Sequence, residues 1–112
     1  MRIIDYTTLG GKNLIEEYIV GLTPQEQFEI RKARISIEEE GARALASLKT
    51  RQLRSKLWEI KLSANRIMYA MQDAETIYFL HICKKQKNKA EKFEVEKAIK
   101  RAKEFGIDIK RR

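Results

Sequence analysis

The sequence predicts a small α+β domain in which an N-terminal helical hairpin packs on a curved antiparallel sheet, in the order β-α-α-β-β-β-α. Three observations predict it. Apolar residues recur at helical spacing from residue 13 to about residue 41. The period changes to two across residues 57–83, where short alternating runs are joined by short turns. Helical spacing then returns from residue 90.

RIIDY (2–6) is short and β-prone and is broken by TTLGGKN, so it reads as an edge strand. Leu14, Ile15, Tyr18, Ile19 and Leu22 then form one helical stripe, which Gly21 ends. TPQE follows. Thr23 is placed to cap the next helix, Pro24 to occupy its first turn and Glu26 to close a capping box. That helix is expected to run to about Gly41 with two apolar stripes. Phe28, Ile35 and Ala42 fall together, and Ile30, Ala33, Ile37 and Ala44 fall nearly opposite, which predicts a helix buried on both sides, with a partner-binding face as the alternative.

A basic connector, SLKTRQLRSK, leads to LWEIKLS (57–63), where Trp58, Ile60 and Leu62 alternate with Glu59 and Lys61. The tight turn SAN joins it to RIMYAMQ (66–72), and a turn near Asp73 leads to TIYFLHIC (76–83). The last run is apolar on both faces, as a central strand should be. Strict alternation puts His81 on the face of Ile77 and Phe79. Along AEKFEVEKAIKRAKEF (90–105), Val95, Ala98, Ile99, Ala102 and Phe105 make an inner stripe, and Gly106 fits a C-terminal cap. Residues 1–106 read as one domain and 107–112 as a basic, flexible tail.

The single cysteine excludes an internal disulfide and suits a reducing compartment. The N-terminus lacks a secretory pattern, and no apolar run approaches the ~20 residues that span a bilayer, so a cytoplasmic protein away from membranes is expected. Charge is sorted along the chain. Residues 1–48 hold six Lys/Arg and eight Asp/Glu, net −2, whereas residues 49–112 hold eighteen and eight, net +10. A basic half of this kind attracts polyanions.

Chemistry-bearing residues concentrate in FLHICKKQKNKAEKF, which holds the only histidine and the only cysteine. His81 and Cys83 offer two metal ligands where a structural zinc site takes four, so neither metal nor cofactor is expected. Cys83 ends an apolar strand and reads as a small buried hydrophobe rather than a nucleophile. His81 reads as a mostly buried core histidine, with a proton-transfer role at the sheet rim as the alternative. No serine-hydrolase or P-loop signature is present. In a meander, Arg66 lies between Lys61 or Leu62 and the Ile82–Lys84 region, so cations converge at one end of the sheet. Such a cluster suits a phosphodiester. Equally, Lys61 and Arg66 could pair with Glu59 on a solvated face. Spacing alone does not choose between the two.

Residues 53–104 resemble the RelE/HigB superfamily of toxin–antitoxin toxins, in its phage-derived HigB-like branch. The resemblance rests on Trp58-Glu59-Ile60-Lys61, on Arg66, Ile67 and Tyr69, and on Leu80-His81. It continues through Lys84-Lys85-Gln86, Lys89 and Ala90 to Ala98 and Arg101. It implies a RelE-like fold and a ribosome-dependent mRNA endonuclease, in which the ribose 2′-hydroxyl attacks the adjacent phosphate without a metal. Arg66 would contact the scissile phosphate. Lys61 would supply a second cation, and Lys85 would stabilise charge or protonate the leaving oxygen, with His81 as a further candidate. Lys84, Lys87 and Lys89, with Arg54 and Lys56 of the connector, would hold RNA through its phosphates. The implied partners are the ribosome, mRNA and a cognate antitoxin of helix-turn-helix, HigA-like type.

The chain departs from the family pattern twice. Phe93 is the nearest aromatic to a tyrosine that stacks on the substrate base in some members; stacking survives the exchange, but proton transfer by a phenol does not. Glu91 stands where the segment usually ends in proline. Two other functions fit the same fold: a ParE-like gyrase poison and a non-catalytic RNA-binding module.

Overall fold

A computed structural model describes residues 1–110, leaving aside the side chains of residues 88 and 90. The elements are β1 (Arg2–Asp5), α1 (Leu14–Val20), α2 (Pro24–Glu40), α3 (Ala42–Ser47), β2 (Thr50–Gln52), β3 (Trp58–Lys61), β4 (Asn65–Met71), β5 (Thr76–Lys84) and α4 (Asn88–Glu104). The sheet runs in the order β1-β5-β4-β3-β2. This is a small α+β domain with a five-stranded sheet. No helix among the described residues is long and apolar enough to cross a membrane.

The meander β3-β4-β5 forms as the alternation predicts, with Ile60 opposite Ile67 and Ile67 opposite Ile82. The sheet is nevertheless mixed, because β1 runs parallel to β5. It also has one more strand than expected: the basic connector contains β2, an edge strand antiparallel to β3. Its three residues, TRQ, carry no apolar alternation to announce a strand.

Apolar residues separate onto the two faces of the sheet. Ile15 and Ile19 of α1 and Ile30 and Ile37 of α2 pack with Ile60, Ile67, Ile77 and Phe79. Val95, Ala98, Ile99 and Ala102 of α4 pack with Met68, Ala70 and Leu80 on the opposite face. The capping box forms as read from TPQE: Thr23 Oγ1 accepts from Glu26 N, and the Glu26 carboxylate accepts from Thr23.

Three expectations change. First, α2 is buried on one side only. Phe28 and Ile35 are 68 % and 53 % exposed, because no element among the described residues covers the outer stripe. The helix also stops at Gly41, whose φ of 58° is left-handed, and α3 starts afresh. Second, α4 ends in a Schellman motif, with Gly106 N–H on the Lys103 carbonyl and Ile107 N–H on the Ala102 carbonyl. That turn sends the chain back over the α4 core, where Ile107 and Ile109 are 3 % and 2 % exposed. The stretch 107–110 is therefore packed, and residues 111–112 of the expected tail lie outside the described residues.

Third, β5 is bulged. Met68 pairs with His81 but Tyr69 pairs with Phe79, so Leu80 is an extra residue. One inserted residue reverses the alternation beyond it. His81 therefore leaves the face of Ile77 and Phe79 and turns to α4, where it meets Glu94 and Arg101.

Candidate active site

The register places Lys61 opposite Arg66 and Arg66 opposite Cys83. Beside this row, where α4 begins, lies a cleft of about 220 Å³. Arg51 of β2, Lys61 of β3, Arg66 of β4 and Lys87 bring four cations to it. Glu59, Glu91 and Glu94 bring three carboxylates, and Met68, Cys83 and Gln86 complete the lining. The cations converge, as one of the two possibilities had it; of the other, Arg66 does pair with Glu59, but the second partner is Arg51 rather than Lys61 and the carboxylate is buried rather than on a solvated face.

Glu59 is only 2 % exposed. It lies 3.3 Å from Arg51 Nη2 and 3.6 Å from Arg66 Nε. Arg66 is further fixed by Nη1, which donates to the carbonyls of Leu62 at 2.6 Å and Asn65 at 3.0 Å. A guanidinium has five N–H groups, so these contacts leave the pair on Nη2 for an anion. Arg51 also reaches Glu91 in the first turn of α4, closing an ion-pair chain from Arg66 through Glu59 and Arg51 to the helix.

His81 sits behind the cleft, 6 % exposed, and its outer surface faces a separate hollow beside Tyr18 and Arg101. Arg101 Nη1 lies 3.0 Å from His81 Nδ1. A guanidinium can only donate, so Nδ1 accepts and the ring proton resides on Nε2. Nε2 lies 3.2 Å from the Glu94 carboxylate, off the line of a good hydrogen bond. Burial, set against the Glu94 carboxylate, lowers the His81 pKa on balance. The imidazole is thus held neutral. Burial likewise pushes the Cys83 thiol up to about 12, which agrees with an unreactive cysteine.

His81, Cys83 and Glu94 do present three possible metal ligands within 4.8 Å of one another. Glu94 is a ligand that sequence spacing could not supply. The set still falls one short of a closed tetrahedral site. In addition, Arg101 at Nδ1 fixes the proton on Nε2, the atom a metal would need, whereas ligating histidines ordinarily donate from their second nitrogen to an acceptor.

The other residues singled out in the sequence do not line the cleft. Lys84 pairs with Glu26. Lys85 is exposed beyond the end of β5 and donates its backbone N–H to the Ala64 carbonyl. Lys89 is exposed in the first turn of α4. Phe93 is 65 % exposed on α4, with the Lys97 ammonium 5.6 Å from its ring centroid. Arg54 Nη1 donates to the Leu53 carbonyl, and Lys56 borders a separate, largely apolar hollow with Trp58. Sequence reading missed Arg51, Glu91 and Glu94 as cleft residues. The only advance sign was the i, i+3 spacing of the two glutamates on one helix face.

A family model for phage-derived Gp49-like proteins matches residues 17–103. The chain belongs to the Gp49-like family. That family is related in general terms to RelE/HigB-type toxins, and the match spans every element that builds the cleft. No curated protein matches the chain. Within this Gp49-like domain, the cleft combines a partly buried, carboxylate-oriented arginine, a lysine directly across the ladder and a further ammonium at the start of α4. Such an array can bind a phosphodiester and stabilise charge that builds on its oxygens.

Proposed function

We propose that this Gp49-like protein is the toxin of a type II toxin–antitoxin pair, and that it cuts mRNA on the ribosome by attack of a ribose 2′-hydroxyl on the adjacent phosphate. The observation that carries the reading is Arg66, held at the cleft by Glu59 and two backbone carbonyls, with Lys61 opposite it on the neighbouring strand. On this reading Arg66 and Lys61 neutralise the non-bridging oxygens. Lys87, which lines the cleft where Lys85 does not, is the better-placed ammonium for the leaving oxygen. The exposed Lys85 and Lys89 hold RNA by its phosphates, and Phe93 offers a face for base stacking. The net +10 of residues 49–112 favours binding to ribosomal RNA over a weakly charged partner. The expected antitoxin is a helix-turn-helix protein of HigA-like type.

Brief expression followed by mapping of mRNA 5′ ends tests this. New ends within translated codons, absent for Arg66→Ala, are expected. Intact transcripts with double-strand DNA breaks would instead favour a gyrase poison. Intact transcripts with no growth arrest would favour a non-catalytic RNA-binding module. Toxicity retained in Arg66→Ala would remove Arg66 from the site.

A further inference from the structure

Three carboxylates line the cleft, and their surroundings differ. Glu59 and Glu91 are both bound by Arg51, and Glu59 by Arg66 as well. Carboxylates engaged by guanidinium groups are already occupied by donors and are not free to receive a substrate hydroxyl. Glu94 faces a neutral imidazole and the un-ionised thiol of Cys83 instead. Its side chain is 16 % exposed, so it reaches the cleft from a mostly buried position on α4.

Behind Glu94 stands an ordered relay. Arg101 donates to the Leu80 carbonyl at 3.1 Å and to His81 Nδ1 at 3.0 Å. The first contact fixes the guanidinium against β5, and the second fixes the proton on Nε2. His81 Nε2 is buried and lies 3.2 Å from the Glu94 carboxylate without a well-aligned hydrogen bond. The bulge at Leu80 is what turns His81 toward this group. The Glu94 carboxylate therefore touches His81 on one side and lines the cleft on the other.

We propose that Glu94 is the general base of the cleft, with His81 and Arg101 as positioning residues acting through it. This rests on the reading of the protein as an RNA-cleaving toxin. As the 2′-oxygen forms its bond to phosphorus, Glu94 takes the 2′-hydroxyl proton. The bond from phosphorus to the 5′-oxygen breaks, and that oxygen takes a proton from a cleft ammonium, Lys87 or Lys61. The products are a 2′,3′-cyclic phosphate and a 5′-hydroxyl. Solvent then removes the proton from Glu94 and restores the one lost by the ammonium.

The test is single-turnover cleavage of mRNA on programmed ribosomes, with rate constant and half-saturating concentration measured separately. Glu94→Gln keeps an acceptor for the His81 N–H but cannot take a proton. It is expected to lose about 100-fold or more in rate at an unchanged half-saturating concentration. Glu94→Asp should recover part of that rate. His81→Gln, which keeps an N–H donor, should cut faster than His81→Leu, although a merely structural role predicts no such rescue by a polar side chain. Circular dichroism of each variant establishes that it is folded. Glu94→Gln cutting within about twofold of wild type would overturn the assignment while leaving the cleavage reading standing. Wild-type protein that leaves ribosome-bound mRNA whole would overturn both.

Discussion

The carboxylate of Glu59 lies 3.6 Å from Nε of Arg66, at the floor of the cleft and only 2 % exposed. Removing a partner from a buried ion pair strands the remaining charge. Glu59→Ala should therefore destabilise the fold by about 2 kcal/mol, below the ~3–5 kcal/mol of a fully buried pair because Arg51 remains solvated. Glu59→Gln, which keeps a hydrogen-bond acceptor, should cost less. Urea unfolding of the two variants measures the difference, and equal stabilities would show that Glu59 does not anchor Arg66.

Acid should loosen the junction between α2 and the sheet. Glu26 accepts hydrogen bonds from Lys84, Asn65 and Thr23, and these lower its pKa from 4.5 to about 2. A carboxyl depressed in the fold contributes its stability above the unfolded pKa and loses it as pH falls toward the folded one. Stability should thus decline between about pH 5 and pH 2, more steeply than in Glu26→Gln. Thermal melts across that range provide the comparison; identical pH slopes for the two proteins would refute it.

Burial lowers the His81 pKa, so the imidazole should be neutral at neutral pH. The proton belongs on Nε2, because Arg101 occupies Nδ1 as a donor. Nitrogen-15 chemical shifts of the imidazole would reveal this tautomer at neutral pH. Signals of an Nδ1–H tautomer or of imidazolium would contradict it. Since the His81 pKa is lowered, first by burial, the group favours the folded state above its unfolded pKa and opposes it as pH falls below that value.

The C-terminal stretch should contribute to stability. Ile109 is 2 % exposed against the α4 core, so Ile109→Ala is expected to cost about 2–4 kcal/mol. Ending the chain at Gly106 removes Ile107 as well and should cost more. Calorimetry would detect either loss, and an unchanged melting temperature would mean the segment is not packed in solution.

Polar substitution on the outer stripe of α2 should be nearly silent. Phe28→Gln and Ile35→Gln replace side chains that are 68 % and 53 % exposed, so each should change stability by no more than about 0.5 kcal/mol. A large loss in the denaturation midpoint of either variant would show a covered face.

Legibility in the sequence followed the strength of local signals. TPQE announced its helix because capping chemistry is complete within four residues. The β3-β4-β5 meander followed from alternation, which left Arg66 beside Lys61 or Leu62; the structure sets it opposite Lys61 and Cys83. Strand β2 was silent because an edge strand of polar residues has no apolar period. The second stripe of α2 misled because apolar residues on a helix face do not say whether anything will cover them. The tail was misjudged because its basic residues are plain in the sequence, while the burial of Ile107 and Ile109 depends on the turn at Gly106.

By itself the sequence determined the α+β class, the meander, the capped helices and the basic half of the chain, all of which arise from periods and charges within a few neighbours. Only the tertiary structure decided which groups share the cleft. Arg51, Glu59, Arg66 and Glu91 come from four elements, and their pairing depends on strand register and on where α4 crosses the sheet. The same holds for His81. Alternation assigned it to one face, and a single extra residue at Leu80 moved it to the other, because the period of a strand is two and one insertion inverts everything after it.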